Sequence, residues 1–97
     1  MEVRYADRKV ERICTNARQM KRELDAAVAK RLQLRIAELY NVDSFADLLL
    51  VTGRWEQLTA DRAGQWSARL SRNWRLIVVD EGGSPVVACV VEITDYH

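Results

Sequence analysis

The sequence has few of the residues that mark disulfide-stabilised, metal-bound or membrane-inserted proteins. It contains two cysteines, one histidine and one proline in 97 residues. Cys14 and Cys89 lie in apolar contexts without metal-ligand spacing, which predicts buried free thiols rather than a disulfide or a metal cluster. No apolar run approaches the roughly 20 residues that span a bilayer. The first residues lack the layout of a signal peptide, so we expect one cytoplasmic domain over residues 1–97 with no membrane partner.

An excess of charge of one sign is also missing, because the formal net charge is only +1. Affinity for nucleic acid scales with the number of phosphates that a protein neutralises, so this balance argues against strong nonspecific binding. Any nucleic-acid role must therefore depend on a local patch. Twelve of the fifteen basic residues are arginines, which suits bidentate pairing with phosphate or carboxylate.

The N-terminal half predicts one strand and two helices. Residues 2–6 alternate polar and apolar side chains, as in a short strand. Asp7 is a candidate N-cap for a first helix, because apolar residues recur at helical spacing from residue 10 to residue 20. A second apolar stripe predicts a helix over about 24–41, with Lys30, Arg31 and Arg35 on a solvated face.

Local signals after the second helix predict a turn and then a change of period. Ser44, followed three residues later by Asp47, is a variant of the capping box that opens a short apolar turn. From residue 54 onward apolar residues recur at every second position, which indicates strands. The predicted strands lie at 55–58, 66–70, 74–78 and 86–93, with turns at 61–64, 71–73 and 80–85. The last strand is nearly all apolar, which predicts a central strand covered on both faces.

The resulting order, β-α-α-β-β-β-β, predicts an α+β fold. Both apolar helix faces are buried only if the two helices stack on one face of a twisted, mainly antiparallel sheet. Trp66 and Trp74 are predicted to face these helices, and Trp55 to be a half-buried strand residue or part of a partner-contact surface. The other sheet face is predicted to be polar and available for function, carrying Gln65, Ser67, Arg69 and Arg75.

The last three residues of the sequence are candidates for acid–base catalysis. Asp95, Tyr96 and the single histidine, His97, follow the last strand directly. RNA is cut by its own 2′-hydroxyl when a base, a cation at the phosphate and an acid at the leaving oxygen are provided. Arg75 supplies a cation, Asp95 and His97 are candidates for proton transfer, and Tyr96 is a candidate to stack on a base. The alternative is a tyrosine that anchors the terminus beside a solvated histidine.

No rival chemistry is indicated. The sequence has no glycine-rich phosphate loop, no Cys/His nucleophile pair and no metal-ligand cluster. We therefore expect neither a metal nor a cofactor.

Three blocks of the sequence together strongly resemble the HigB (host-inhibition) toxins of bacterial type II toxin–antitoxin systems, in the RelE/ParE superfamily. They are Asp-Arg-Ala-Gly-Gln-Trp-Ser at 61–67, Asn-Trp-Arg at 73–75 and the terminal Glu-Ile-Thr-Asp-Tyr-His at 92–97. The resemblance covers residues 54–97, and the N-terminal half matches only in its strand–helix–helix layout.

The resemblance implies a ribosome-dependent endoribonuclease, an mRNA interferase that cuts translated mRNA. It also implies a cognate helix-turn-helix antitoxin, through which alone the toxin reaches operator DNA. By position, Arg75 becomes the transition-state stabiliser, and Arg62 is either phosphate-binding or structural through Asp61. Glu56 falls where some relatives carry histidine and others glutamate. The implied catalytic residues are Arg75, Asp95, Tyr96 and His97, and the implied RNA-contacting residues are Arg62, Arg69, Arg72 and Glu56.

One position departs from the family pattern. The family commonly reads Leu-Lys-Gly-Asp-Arg where this chain has Leu-Thr-Ala-Asp-Arg at 58–62, so that the uncharged Thr59 replaces a lysine. Either neighbouring arginines such as Arg54, Arg69 or Arg72 compensate, or the protein is a weakened or inactive member that acts as an antitoxin-binding module. A third, less favoured function is gyrase inhibition as in the ParE branch, against which the intact terminal motif argues.

Overall fold

Asn16 divides the first predicted helical segment into two helices in the computed structural model, which describes residues 1–95. The Asn16 side chain accepts hydrogen bonds from the backbone N–H groups of Arg18 and Gln19, while its own N–H bonds to the carbonyl of Arg12. Asparagine competes well for such cap positions, and the apolar period continues through it. The chain therefore has three helices, α1 (Arg8–Thr15), α2 (Ala17–Glu23) and α3 (Ala26–Asn41), where the sequence predicts two.

Five strands and two short 3₁₀ turns complete the described chain. The strands are β1 (Glu2–Tyr5), β2 (Glu56–Gln57), β3 (Gln65–Arg69), β4 (Trp74–Asp80) and β5 (Val87–Asp95). The 3₁₀ turns lie at Ala46–Leu50 and Ala60–Arg62. The predicted caps are present, because Asp7 accepts from the Val10 N–H at 2.8 Å and Ser44 Oγ accepts from the Asp47 N–H at 3.3 Å.

The strands form one mixed sheet in the order β1-β5-β4-β3-β2. β2 pairs antiparallel with β3, β3 with β4 and β4 with β5, whereas β1 pairs parallel with β5. The three helices pack on one face, so the predicted α+β class is confirmed. The core lies between that face and the helices, and it includes Trp66, with Trp74 packed against it. Trp55 is also buried, rather than lying on a partner-contact surface.

The prediction that the last strand is covered on both faces is wrong. Ala88 and Val90 are fully buried beneath the helices, whereas Val87, Cys89 and Val91 on the strand are only half-buried. β5 lies between β1 and β4 in the sheet, and its β-branched residues suit a strand even with one open face.

The two cysteines lie on different elements, Cys14 on α1 and Cys89 on β5. Cys14 and Cys89 are free thiols, and Cys14 is buried whereas Cys89 is half-buried. Within residues 1–95, no helix has the length and apolar content that crossing a membrane requires.

Candidate active site on the open sheet face

The open face of the sheet is formed by side chains that alternate with the core residues of β3, β4 and β5. Residues directly opposite each other on paired strands share a face, so the pairing register arranges this face in rows about 7 Å apart along the strands. Ser67 and Ile77 lie at the centre of this face, and charged side chains surround them. The first row contains Arg69, Arg75 and Thr94, and the second contains Glu56, Ser67, Ile77 and Glu92.

Burial on this face differs from the uniformly polar surface that the sequence predicts. Ser67 is 2% exposed and Ile77 is fully buried, although neither belongs to the helix-side core cluster. Arg69 and Glu56 are exposed, and Arg75 is half-buried. Ile77 and Ser67 are therefore covered by neighbouring side chains, and the accessible groups of this face are the charged ones around them.

Arg75 is held by the turn between β3 and β4. Its Nη1 donates to three backbone carbonyls, those of Ser71 at 2.8 Å, Trp74 at 3.0 Å and Arg72 at 3.1 Å. Its Nη2 donates to no group among residues 1–95. The guanidinium is therefore fixed in orientation while part of its donor capacity is unused, which is the arrangement expected of a preorganised phosphate-binding group.

Arg62 reaches the same face from the second 3₁₀ turn. Its Nη1 lies 2.9 Å from Glu92 Oε1 and 3.2 Å from Gln65 Oε1. The structure therefore provides Arg62 with a carboxylate partner on β5, a contact that the spacing of the motifs does not indicate. Arg62 and Glu92 side chains are 45% and 42% exposed, so both groups remain accessible to a ligand.

Thr59 and Ala60 stand where the family motif has lysine and glycine. Thr59 is exposed and begins the 3₁₀ turn without a capping hydrogen bond from its side chain. Ala60 has a φ of +57°, in the left-handed region that favours glycine. The backbone of this turn therefore has the conformation that a glycine at position 60 would adopt without strain.

The register does not bring Asp95 to the side of Arg75. Asp95 lies opposite Trp74, which packs against the helix-side core, whereas Arg75 lies opposite Thr94 on the open face. Asp95 Oδ1 is buried. Tyr96 and His97, the other two predicted catalytic residues, lie outside the described residues. The register thus places Arg69, Arg75 and Glu56 on the open face, where Arg62 pairs with Glu92, and it places Asp95 on the other face.

Arg72, the remaining predicted RNA-contacting residue, lies in the β3–β4 turn with an exposed side chain. Among residues 1–95, no group of three or more histidine, cysteine, aspartate or glutamate side chains is arranged to hold a metal ion.

The arrangement of elements occurs in solved structures of bacterial toxins. A YoeB/ParE toxin from Agrobacterium tumefaciens matches with a TM-score of 0.70 and 16% sequence identity, over 100% of both chains. The fold is that of the YoeB/ParE toxins. A YoeB dimer from Staphylococcus aureus gives a TM-score of 0.64 at 15% identity, over 100% of this chain and 97% of that chain.

A third structure is similar to the same extent. A YoeB–YefM complex from Staphylococcus aureus gives a TM-score of 0.62 at 15% identity, again over 100% of this chain and 97% of the other. No protein-family model and no curated protein matches the sequence. The fold similarity includes the N-terminal half, in which the sequence shows only a matching layout of strand and helices.

Proposed function

We propose that this protein is the toxin of a type II toxin–antitoxin system and that it cleaves RNA on the open sheet face. The observation that carries the proposal is the fixed guanidinium of Arg75 beside Arg69, with the Glu56–Glu92 row next to them. The YoeB/ParE-like fold and the resemblance of residues 54–97 to HigB toxins support it. At the finer level, we propose a HigB-like, ribosome-dependent mRNA interferase.

The proposed reaction is transesterification within the RNA strand. A base removes the proton of the 2′-hydroxyl, the 2′-oxygen forms a bond to phosphorus, and the bond from phosphorus to the 5′-oxygen breaks. An acid then protonates the departing 5′-oxygen, so the products are a 2′,3′-cyclic phosphate and a 5′-hydroxyl. Negative charge grows on the phosphate oxygens in the transition state, where a preorganised cation has its largest effect. Arg75 supplies that cation.

The remaining residues have distinct proposed roles. His97 and Tyr96 are proposed to transfer protons and to stack on the base. Asp95, with a buried oxygen on the helix side of the sheet, is proposed to orient the end of β5 rather than to transfer a proton. Arg62, Arg69, Arg72 and Glu56 are proposed to contact the RNA around the reacting nucleotide.

The proposed partners follow from this function. They are the ribosome and its bound mRNA, together with a cognate helix-turn-helix antitoxin that neutralises the toxin in the cytoplasm. Operator DNA is contacted only through that antitoxin.

Induced expression in bacterial cells tests the proposal. The parent protein should arrest growth and generate new 5′ ends within translated mRNAs. Arg75→Ala and a variant lacking His97 should each lose both effects while accumulating to the parent level. If either variant arrests growth and cleaves mRNA like the parent, the corresponding role is wrong.

The uncharged Thr59 favours a second candidate, an antitoxin-binding module with weak or no nuclease activity. Thr59 is exposed, so a lysine at this position requires no repacking. In a ribosome-bound cleavage assay, a large gain by Thr59→Lys over an inactive parent would favour this second candidate. A robust parent that gains nothing would favour compensation by neighbouring arginines. Inhibition of gyrase supercoiling by the purified protein would instead favour the ParE-like activity.

A further inference from the structure

A second basic site lies beside the open face, in a cleft between α3, the loop before β2, and the turn between β3 and β4. The cleft has a volume of about 480 Å³, within the range of ordinary ligand sites. None of its described lining residues is acidic. It is lined by five arginines, Arg31, Arg35, Arg54, Arg69 and Arg72.

Three of these arginines have no anionic partner within the described chain. The side chains of Arg54, Arg69 and Arg72 form no salt bridge and no hydrogen bond with another of residues 1–95. Arg31 makes one long hydrogen bond, from its Nη1 to the Leu70 carbonyl at 3.4 Å. Like charges gathered in one cleft repel one another, so the arrangement favours binding of an anion.

The floor of the cleft is formed by a buried arginine that pairs with a carboxylate. Arg35, predicted from the sequence to be solvated, is instead 7% exposed. Its Nε lies 3.3 Å from Glu38 Oε1, which also accepts from Trp55 Nε1 at 2.9 Å. Gly53 makes room for this group, since a Cβ at position 53 would lie 2.7 Å from Arg35 Nη1 and 2.4 Å from Glu38 Oε1. One carboxylate thus holds the buried guanidinium in place and leaves the cleft with an excess of positive charge.

The cleft is continuous with the open face. Arg69 lines the cleft and also lies opposite Arg75 in the first row of that face. Ser71 and Arg72 line the cleft, and their backbone carbonyls accept hydrogen bonds from Arg75. An RNA strand that lies across the open face would therefore reach the cleft at the β3–β4 turn.

We infer that this cleft binds phosphodiester groups of RNA that flank the nucleotide held at Arg75. The inference rests on the proposed RNA-cleaving function and adds to it a site in which α3 takes part. Arginine suits this role because its planar guanidinium pairs with phosphate through two parallel hydrogen bonds. RNA that is already bound at Arg75 has further phosphates within reach of the cleft. A separate protein ligand has no such link to the open face and would have to bind the cleft independently.

RNA binding by charge-matched double variants tests the inference. The cleft variant is Arg31→Gln with Arg54→Gln, both exposed positions outside the proposed catalytic group. The control is Arg8→Gln with Arg12→Gln, which removes the same charge from exposed positions on α1. Fluorescence anisotropy with a labelled 2′-O-methyl RNA oligonucleotide measures affinity at several salt concentrations. This RNA lacks the attacking hydroxyl, so its binding is independent of cleavage.

Two lost phosphate contacts reduce the slope of log affinity against log salt by about 1.4 for single-stranded RNA. We expect this reduction, with weaker binding, in the cleft variant and not in the control variant. Equal slopes in the parent and the cleft variant would overturn the inference, as would an equal loss in the control. Failure of cleavage together with the predicted slope change would contradict the proposed function and leave the cleft assignment supported.

A second probe distinguishes RNA from an acidic protein segment. The same proteins are titrated with a ten-residue oligoglutamate peptide under the same conditions. If the cleft substitutions abolish peptide binding and leave RNA binding unchanged, the cleft recognises carboxylates and the inference is wrong. Circular dichroism of all variants confirms that each is folded as the parent is.

Discussion

Arg62 Nη1 lies 2.9 Å from Glu92 Oε1, and this ion pair joins the 3₁₀ turn before β3 to strand β5 across the open face. It places a carboxylate beside the cations that are proposed to contact RNA. Both side chains are more than 40% exposed, and pairs of this kind contribute about 0–1 kcal/mol to stability. The pair therefore has more influence on the charge of the face than on the stability of the fold.

We predict that Glu92→Gln increases RNA affinity about two- to fivefold, because a removed exposed charge changes the binding free energy by roughly 0.5–1 kcal/mol. The free energy of unfolding should change by less than about 1 kcal/mol. Glu2→Gln is the matched control, since Glu2 forms a similarly exposed pair with Arg4 on β1. Anisotropy titrations and urea denaturation measure the two quantities. Equal or weaker RNA binding by Glu92→Gln would contradict this view of the face.

The left-handed backbone conformation of Ala60 predicts that a glycine at this position stabilises the protein. A left-handed conformation costs an alanine about 1–2 kcal/mol, whereas glycine adopts it freely but loses about 0.4–1 kcal/mol through the unfolded chain. Ala60→Gly should therefore raise the free energy of unfolding by up to about 1.6 kcal/mol. Ala37→Gly, at an exposed position of α3, should lower it by about 1 kcal/mol. Similar losses in both variants would show that the backbone at position 60 is not strained.

The close approach of Gly53 to the Arg35–Glu38–Trp55 group predicts a large effect from one added methyl group. A Cβ there would lie 2.4–2.7 Å from atoms of three side chains, so the group must shift. Gly53→Ala should destabilise the protein by about 1–3 kcal/mol in urea denaturation. Thr52→Ala removes an exposed methyl group and the hydroxyl that donates to Glu38 Oε2 at 3.2 Å, and it should cost less than about 1 kcal/mol. An unchanged Gly53→Ala protein would mean that this loop is not packed as described.

Alkaline pH should destabilise the protein through the buried thiol of Cys14. Burial raises the pKa of Cys14 from its ordinary value of 9.0 to about 12. Above pH 9 the native state therefore keeps the proton that the unfolded chain releases. The contribution of the protonated Cys14 thiol to the free energy of unfolding is fully present below pH 9 and is lost between pH 9 and pH 12. The decline is at most about 1.4 kcal/mol per pH unit from this group.

Urea denaturation between pH 8 and pH 11 checks the alkaline prediction. Cys14→Ala should start from a lower stability, because it removes a buried side chain, and should then lose stability less steeply than the parent. Burial also raises the pKa of Tyr5 and Cys89, so part of the decline should persist in that variant. Parallel curves for the two proteins would exclude Cys14 as a source of the pH dependence.

The sequence predicted the features that depend on local period. The α+β class, the helix-facing side chains of Trp66 and Trp74, and the cap at Asp7 all follow from repeats and short-range hydrogen bonding. The break at Asn16 was missed because the apolar spacing continues through it, and periodicity alone does not distinguish one long helix from two capped ones.

Features that depend on distant packing were not accessible from the sequence. Arg35 was predicted to be solvated, since no local signal shows that Glu38 and Trp55, three and twenty residues away, enclose it. The parallel pairing of β1 with β5 joins opposite ends of the chain. The separation of Arg75 from Asp95 depends on the strand register, which places Asp95 opposite Trp74 and was not determined by the motif spacing.

The most direct test of the account is the rate at which the purified protein cleaves mRNA bound to ribosomes, measured in single-turnover experiments. Loss of one preorganised cation at a developing oxyanion reduces the rate on the order of 10²-fold or more, so Arg75→Ala should fall by at least this factor. Arg75→Lys restores the charge without the fixed, planar guanidinium, and it should recover only part of the loss. We expect a folded Arg75→Ala protein with this defect, and cleavage at the parent rate by that variant would contradict the proposed role of Arg75.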